Sequence, residues 1–306
     1  FFKQKTAYEI STRDWSSDVC SSDLIVLTSS GTYNLSLTLG ALSRVKGGTL
    51  FVAQPSNTLS ASNGVLTSSG SSGNLITDAN GTAYVVLGGS SSTATDWGAK
   101  NSGGWLAAPT YTSTVAATTT YASGNNLDVV NTNTGNWVTQ TINSLRFNST
   151  SAYTATIASG NTLTIATGGI LFGSSAASST LTGGTIIPGA GRELVVFSSG
   201  NTFTINSVFG NSAGGATDVT YRGVEGLGIG KNNVIIDKLA NNTYTGNTYI
   251  SGVRVYLGTA TTTTSAASTA STSLTVGAVT NVAVGSSITG DRKSTRLNSS
   301  HEWISR

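Results

Sequence analysis

Large apolar residues alternate with small polar ones through short stretches of this chain. Leu127 and Val129 flank Asp128, Leu163 and Ile165 flank Thr164, and Phe203 and Ile205 flank Thr204. Two-residue spacing sends the large side chains to one side of an extended strand and the polar groups to the other. Each stretch opens on Gly-Asn, at Gly124, Gly160 and Gly200, so the starts lie 36 and 40 residues apart. Glycine supplies a positive φ at such a corner, and asparagine a side-chain amide that bonds its own backbone. Two further echoes accompany them. Ile142-Asn143-Ser144-Leu145 matches Ile205-Asn206-Ser207-Val208, and the doublet at Gly47-Gly48 before Thr49-Leu50 returns at Gly168-Gly169 and Gly183-Gly184.

Short strands repeated between tight corners predict a solenoid. One coil alone has too little apolar area to offset ordering costs of about 1–2 kcal/mol per residue. Stacking coils about 4.8 Å apart buries the inward Val, Ile, Leu and Phe and pairs each backbone with its neighbour. The expected fold is all-β: a right-handed parallel β-helix (β-solenoid) with roughly 20–25 residues per coil, about eleven coils and a rod near ~50 Å long. A β-sandwich is the alternative, although the hairpin dipeptides it needs are few. Asn125, Asn161 and Asn201 either form an amide ladder at one corner or serve as turn-tolerant residues.

Composition removes whole classes of chemistry once the ends are considered. The only cysteine, Cys20, and the only histidine, His301, lie close to the two ends. An allowed back-translation of residues 14–24, reverse-complemented, encodes residues 291–300. That shared DNA resembles a sequencing-library adapter, and residues 3–10 resemble the primer segment beside it. Residues 1–24 and 291–306 are therefore read as adapter-derived and set aside. Residues 25–290 are read as a piece of a longer reading frame. That piece holds nine basic and seven acidic residues and no His, Cys or Met. It lacks the usual zinc ligands, a thiol nucleophile and the commonest general base. Nine scattered cations make neither a nucleic-acid face nor a polybasic membrane anchor. No apolar run approaches the roughly 18 residues of a membrane span. The expectation is a chain without catalytic residues, metal or cofactor, binding no nucleic acid and inserting in no membrane.

One block is more specific. Asn242-Thr243-Tyr244-Thr245-Gly246-Asn247-Thr248-Tyr249-Ile250-Ser251-Gly252, followed by VRVYLG, resembles the autotransporter-associated β-strand repeat. Blocks at 38–52, 95–100, 141–148 and 181–197 resemble the region preceding that repeat in large secreted bacterial proteins. Two departures bear on the register of that coil: GLGIGKNNVIIDK over 226–238, and Arg254 where a small or apolar residue is usual. The resemblance implies a passenger-type β-helix, a structural or adhesive rod that is exported to the cell surface or beyond. Its partners would be surface glycans or other cell-surface proteins. On this reading 25–258 is solenoid, with the repeat at 242–258. A Thr/Ala/Ser-rich linker fills 259–273, and a further β unit starts at 274–290.

Sharper chemistry was weighed at four places. Gly226 to Lys231 has glycines and a lysine but not the spacing or strand–loop–helix context of a phosphate loop. Arg192 and Glu193 are neighbours and would point to opposite faces of a strand. Asp78, Asp96, Asp128, Asp218 and Asp237 hold the carboxylates for a glycosidase pair or a calcium site, if stacking unites them. Trp97, Trp105 and Trp137, with Tyr84 and Tyr111, offer either a glycan-contact platform or plugs for irregular coils.

Overall fold

The computed structural model of the chain describes residues 23–27, 34–55, 59–60, 62–90, 92–224, 234–237 and 242–257. Every regular element among them is a strand, and the strands stack as a β-solenoid of about eight turns. The parallel pairing that defines a solenoid rules out the sandwich. The expected single rod is also corrected, because the turns fall into two stacks lying side by side.

The shorter, N-terminal stack contains β1 (Asp23–Val26), β2 (Ser36–Leu39), β3 (Leu50–Ala53), β4 (Gly64–Thr67) and β5 (Val85–Gly88). Strands β1, β3 and β5 pair in parallel, and β2 pairs in parallel with β4. The chain then reverses. Strand β6 (Ala94–Trp97) runs antiparallel to β5, and β7 (Ala99–Lys100) with β8 (Leu106–Ala107) closes a hairpin. Asp23 and Leu24 join β1, although the sequence assigns them to the adapter-derived end. Pairing there is between backbones, which any residue but proline satisfies.

The longer stack is a three-sided coil. Its first side is a seven-stranded sheet of β9 (Tyr111–Ser113), β10 (Asn126–Asp128), β12 (Ser144–Phe147), β15 (Gly169–Phe172), β18 (Leu194–Ser198), β21 (Val219–Gly223) and β23 (Thr248–Ser251). The second side holds β11 (Gln140–Ile142), β14 (Thr162–Ile165), β17 (Thr185–Pro188) and β20 (Val208–Phe209). The third holds β13 (Thr154–Thr156), β16 (Ser179–Thr182), β19 (Thr202–Ile205), β22 (Val234–Asp237) and β24 (Arg254–Leu257). Leu145 pairs with Ile170, Ile170 with Val196 and Val196 with Tyr221, steps of 25, 26 and 25 residues. The first two steps are shorter, 15 from Tyr111 to Asn126 and 18 from there to Ser144, and the step from Val219 to Thr248 is 29. The stack therefore widens along the chain.

Its interior is continuous: Leu145, Ile170, Val196 and Tyr221 from one side meet Leu163, Ile186 and Phe209 from the second, and Leu181, Phe203 and Ile205 from the third. Phe172 stacks on Phe203 with centroids 4.8 Å apart. The Gly-Asn echoes sit on three different sides, before β10, β14 and β19, so their spacing is not the turn length. No amide ladder joins them. Asn161 Oδ1 accepts the Thr139 N–H at 2.8 Å, and Asn201 Nδ2 donates to the Ala176 carbonyl at 3.1 Å. Each tethers one corner to the turn before it, and Asn125 contributes its carbonyl to the Asn143 N–H.

Residues 226–231, 259–290 and 291–306, where several sequence readings fall, lie outside the described residues, as do 1–22.

Candidate functional site

The seven-stranded sheet is unlike the other two sides because both of its faces are buried. Its outward positions include Leu171, Val195 and Phe197, which pack with Phe51, Ala83, Val86 and Trp97 of the N-terminal stack. This contact is the seam between the stacks, and the sheet is called the seam sheet below. Gly169 allows the close approach: a Cβ there would stand 2.8 Å from the Trp97 ring. Backbone bonds cross as well, Ala83 N–H to the Thr167 carbonyl at 2.9 Å and Ser174 N–H to the Ala94 carbonyl at 2.7 Å.

Charge frames this apolar contact. Arg44 binds Asp78 at 3.0 Å within its own stack and reaches across the seam to Glu193. Both Arg44 and Glu193 side chains are almost fully buried, at 4% and 3% exposure. Glu193 also accepts from Thr220 Oγ1 and the Gly47 N–H. Burial pushes the Glu193 carboxyl above its ordinary value, against the pull of Arg44. Lys46 meets Asp218 across the seam at 2.6 Å, and the hydrogen bond with that carboxylate raises the ammonium's pKa. Arg222 Nε donates to Thr49 Oγ1 at 3.2 Å. At the other end Arg146 grips Asp128 beside it and Asp96 across the seam, with its guanidinium 3.6 Å from the centroid of the Tyr111 ring. Burial opposes the Arg146 cation, yet the Asp128 and Asp96 contacts leave its pKa raised.

Stacking thus unites some of the carboxylates read from the sequence, but around cations. Asp96 and Asp128 share Arg146, Asp78 joins Glu193 on Arg44, and Asp218 holds Lys46. Among the described residues no group of three His, Cys, Asp or Glu side chains is placed to hold a metal ion. Asp237 stands apart in the interior, fully buried. Tyr221 O–H and Asn242 Nδ2 donate to its Oδ2, the latter at 3.2 Å, while Oδ1 has no hydrogen-bond partner among the described residues. Burial raises its pKa from 3.8 to about 6.

The aromatic candidates divide. Trp97 and Trp137 are corrected to core residues: both have 0% exposure and neither presents a ring face to solvent. Trp97 fills the seam, and Trp137 packs edge-on against Tyr121 inside the longer stack. Trp105 is half-buried in the hairpin loop between β7 and β8, its ring lying over Gly103. An open cleft of about 240 Å³ borders the same hairpin, lined by Ser72, Lys100, Asn101, Pro109 and Thr110 among others, and no carboxylate faces it. Arg192 and Glu193 do diverge: Arg192 Nε donates to the Asn80 carbonyl at 3.1 Å, at the margin of the seam.

The side chains of the 242–252 block hold the last described turns together. Asn242 Oδ1 accepts the Phe209 N–H at 2.7 Å, Asp218 accepts the Asn247 N–H at 2.7 Å, and Tyr244 and Thr248 join hydroxyls at 2.7 Å. Gly252, at φ +65°, makes the corner between β23 and β24 that a side chain would strain. Sequence reasoning missed Arg44 and Lys46, the two cations that meet Glu193 and Asp218. The unbroken apolar runs Ile170-Leu171-Phe172 and Leu194 to Phe197 were the available signal, since a strand buried on both faces does not alternate.

Comparison of the chain with family models, curated proteins and solved structures finds no match.

Proposed function

We propose that this chain is a non-catalytic, exported β-solenoid that acts as a structural or adhesive rod at a cell surface. The observation that carries the reading is where the carboxylates are. Asp78, Asp96, Asp128, Glu193 and Asp218 each neutralise a cation in or beside the seam, and so hold the shape of the molecule. A general acid or nucleophile needs a carboxyl that faces substrate. The polar side chains of the 242–252 block also serve neighbouring turns, which suits a repeat whose task is to extend a scaffold. Its resemblance to the autotransporter-associated strand repeat supports export and a passenger-like role. Surface glycans or other surface proteins would then be the partners, and Trp105 is the one tryptophan of the three with a half-exposed ring.

The test has two arms. Beads coated with the chain are expected to adhere to cell layers or to immobilised glycans above the level of bare beads. A panel of neutral and acidic polysaccharides incubated with it is expected to show no new reducing ends. New reducing ends would replace this reading with a glycan-degrading β-helix. Absence of adhesion would leave only the structural role.

A further inference from the structure

We propose that the seam also closes between two copies of this chain, each lending its N-terminal stack to the seam sheet of the other. Each stack has an interior of its own. Val52, Val65, Tyr84 and Leu106 enclose the shorter one, and Leu145, Phe172 and Ile186 belong to the longer one. Only the seam cluster draws on both, so the stacks part without losing their cores. The chain crosses between them once, through Ala108-Pro109-Thr110, which belongs to no strand and borders the open cleft. Pro109 fixes its φ near about −65°, leaving a three-residue connection few ways to relax. Short hinges of this kind favour exchange of a whole element between copies.

The seam itself has the build of an intermolecular contact. Phe51, Trp97 and Phe197 form an apolar centre, and Arg44–Glu193, Lys46–Asp218 and Arg146–Asp96 are complementary pairs around it. Every one of those contacts forms equally well in cis or in trans. Concentration and the covalent tether decide the balance. This inference stands whether or not the chain is exported, because it needs only the seam.

A zero-length carbodiimide links Lys46 to Asp218, whose charged atoms lie 2.6 Å apart. Light and heavy-nitrogen-labelled chains are mixed, concentrated, linked and separated by size. The dimer fraction is expected to contain Lys46–Asp218 peptides joining light to heavy chains as often as like to like, while the monomer fraction contains like pairs only. A dimer whose Lys46–Asp218 peptides are all like pairs, or a chain that stays monomeric at every concentration, overturns the proposal. Deleting Ala108 and Pro109 gives a second reading, independent of slow exchange between folded chains. That variant is expected to emerge as a dimer by light scattering with mixed links across its seam. A monomer with the seam link intact would overturn the proposal too.

Discussion

The seam sheet and the two sides that face water are built from strands of the same length on the same turns, yet they are written differently. Strands β14 and β19 read Thr-Leu-Thr-Ile and Thr-Phe-Thr-Ile, with alternate residues buried. Strands β15 and β18 read Gly-Ile-Leu-Phe and Leu-Val-Val-Phe-Ser, and every residue is buried. The difference is a second layer. Inward Ile170 and Val196 serve the coil as Leu163 and Phe203 do, whereas outward Leu171 and Val195 serve the fold-back of residues 23–107. A water-facing side therefore stabilises only its own coil, and the seam sheet stabilises two.

The strongest way to break this contrast is to place a charge on each kind of outward position. Leu171→Asp buries an unpaired carboxylate in the seam and is expected to cost more than about 4 kcal/mol, or to detach the N-terminal stack. Thr164→Asp, outward on β14, is expected to stay within about 0.5 kcal/mol. Urea denaturation followed by tryptophan fluorescence reads both, since Trp97 sits in the seam. Equal losses at the two positions would erase the distinction.

Arg44→Ala leaves Glu193 buried without its cation and is expected to cost about 3–5 kcal/mol in the same measurement. A change below 1 kcal/mol (roughly the value of an exposed pair) would show that the seam admits water.

Next in size is Asp237, which has no cation near it. Its folded pKa, about 6, lies above its ordinary 3.8. A raised carboxyl pKa means that its contribution is fully present below about 3.8 and is lost as pH rises through about 6. Asp237→Asn is expected to raise stability by about 2 kcal/mol at pH 8, with the gain shrinking to nothing below about pH 4. A gain independent of pH would point to packing rather than charge. The smallest effect is expected at Thr180→Val on β16, within about 0.5 kcal/mol, with thermal melting as the check.

Much of the coil was legible in the sequence because its rules are local. Alternation at Leu163-Thr164-Ile165 and corners at Gly160 and Gly200 gave strands and turns, and the coil length of the regular middle followed. The fold-back was not legible, because Arg44 finds Glu193 across 149 intervening steps of sequence and no local rule joins them. The carboxylates were found as residues but not as partners, since their cations lie on other turns. Trp97 and Trp137 were offered two fates, and burial selected the packing one. Asn125, Asn161 and Asn201 looked like one column because repeats were assumed to recur on one side, whereas a three-sided coil can place similar strands on any side.

The unequal perimeter of the longer stack has a last consequence. A coil that begins with a step of 15 residues and reaches 29 has the form of a funnel. The narrow rim of one molecule and the wide rim of another do not match in register, so rung cannot continue into rung from molecule to molecule. Taper of this kind guards against the end-to-end fibres that uniform open-edged coils invite.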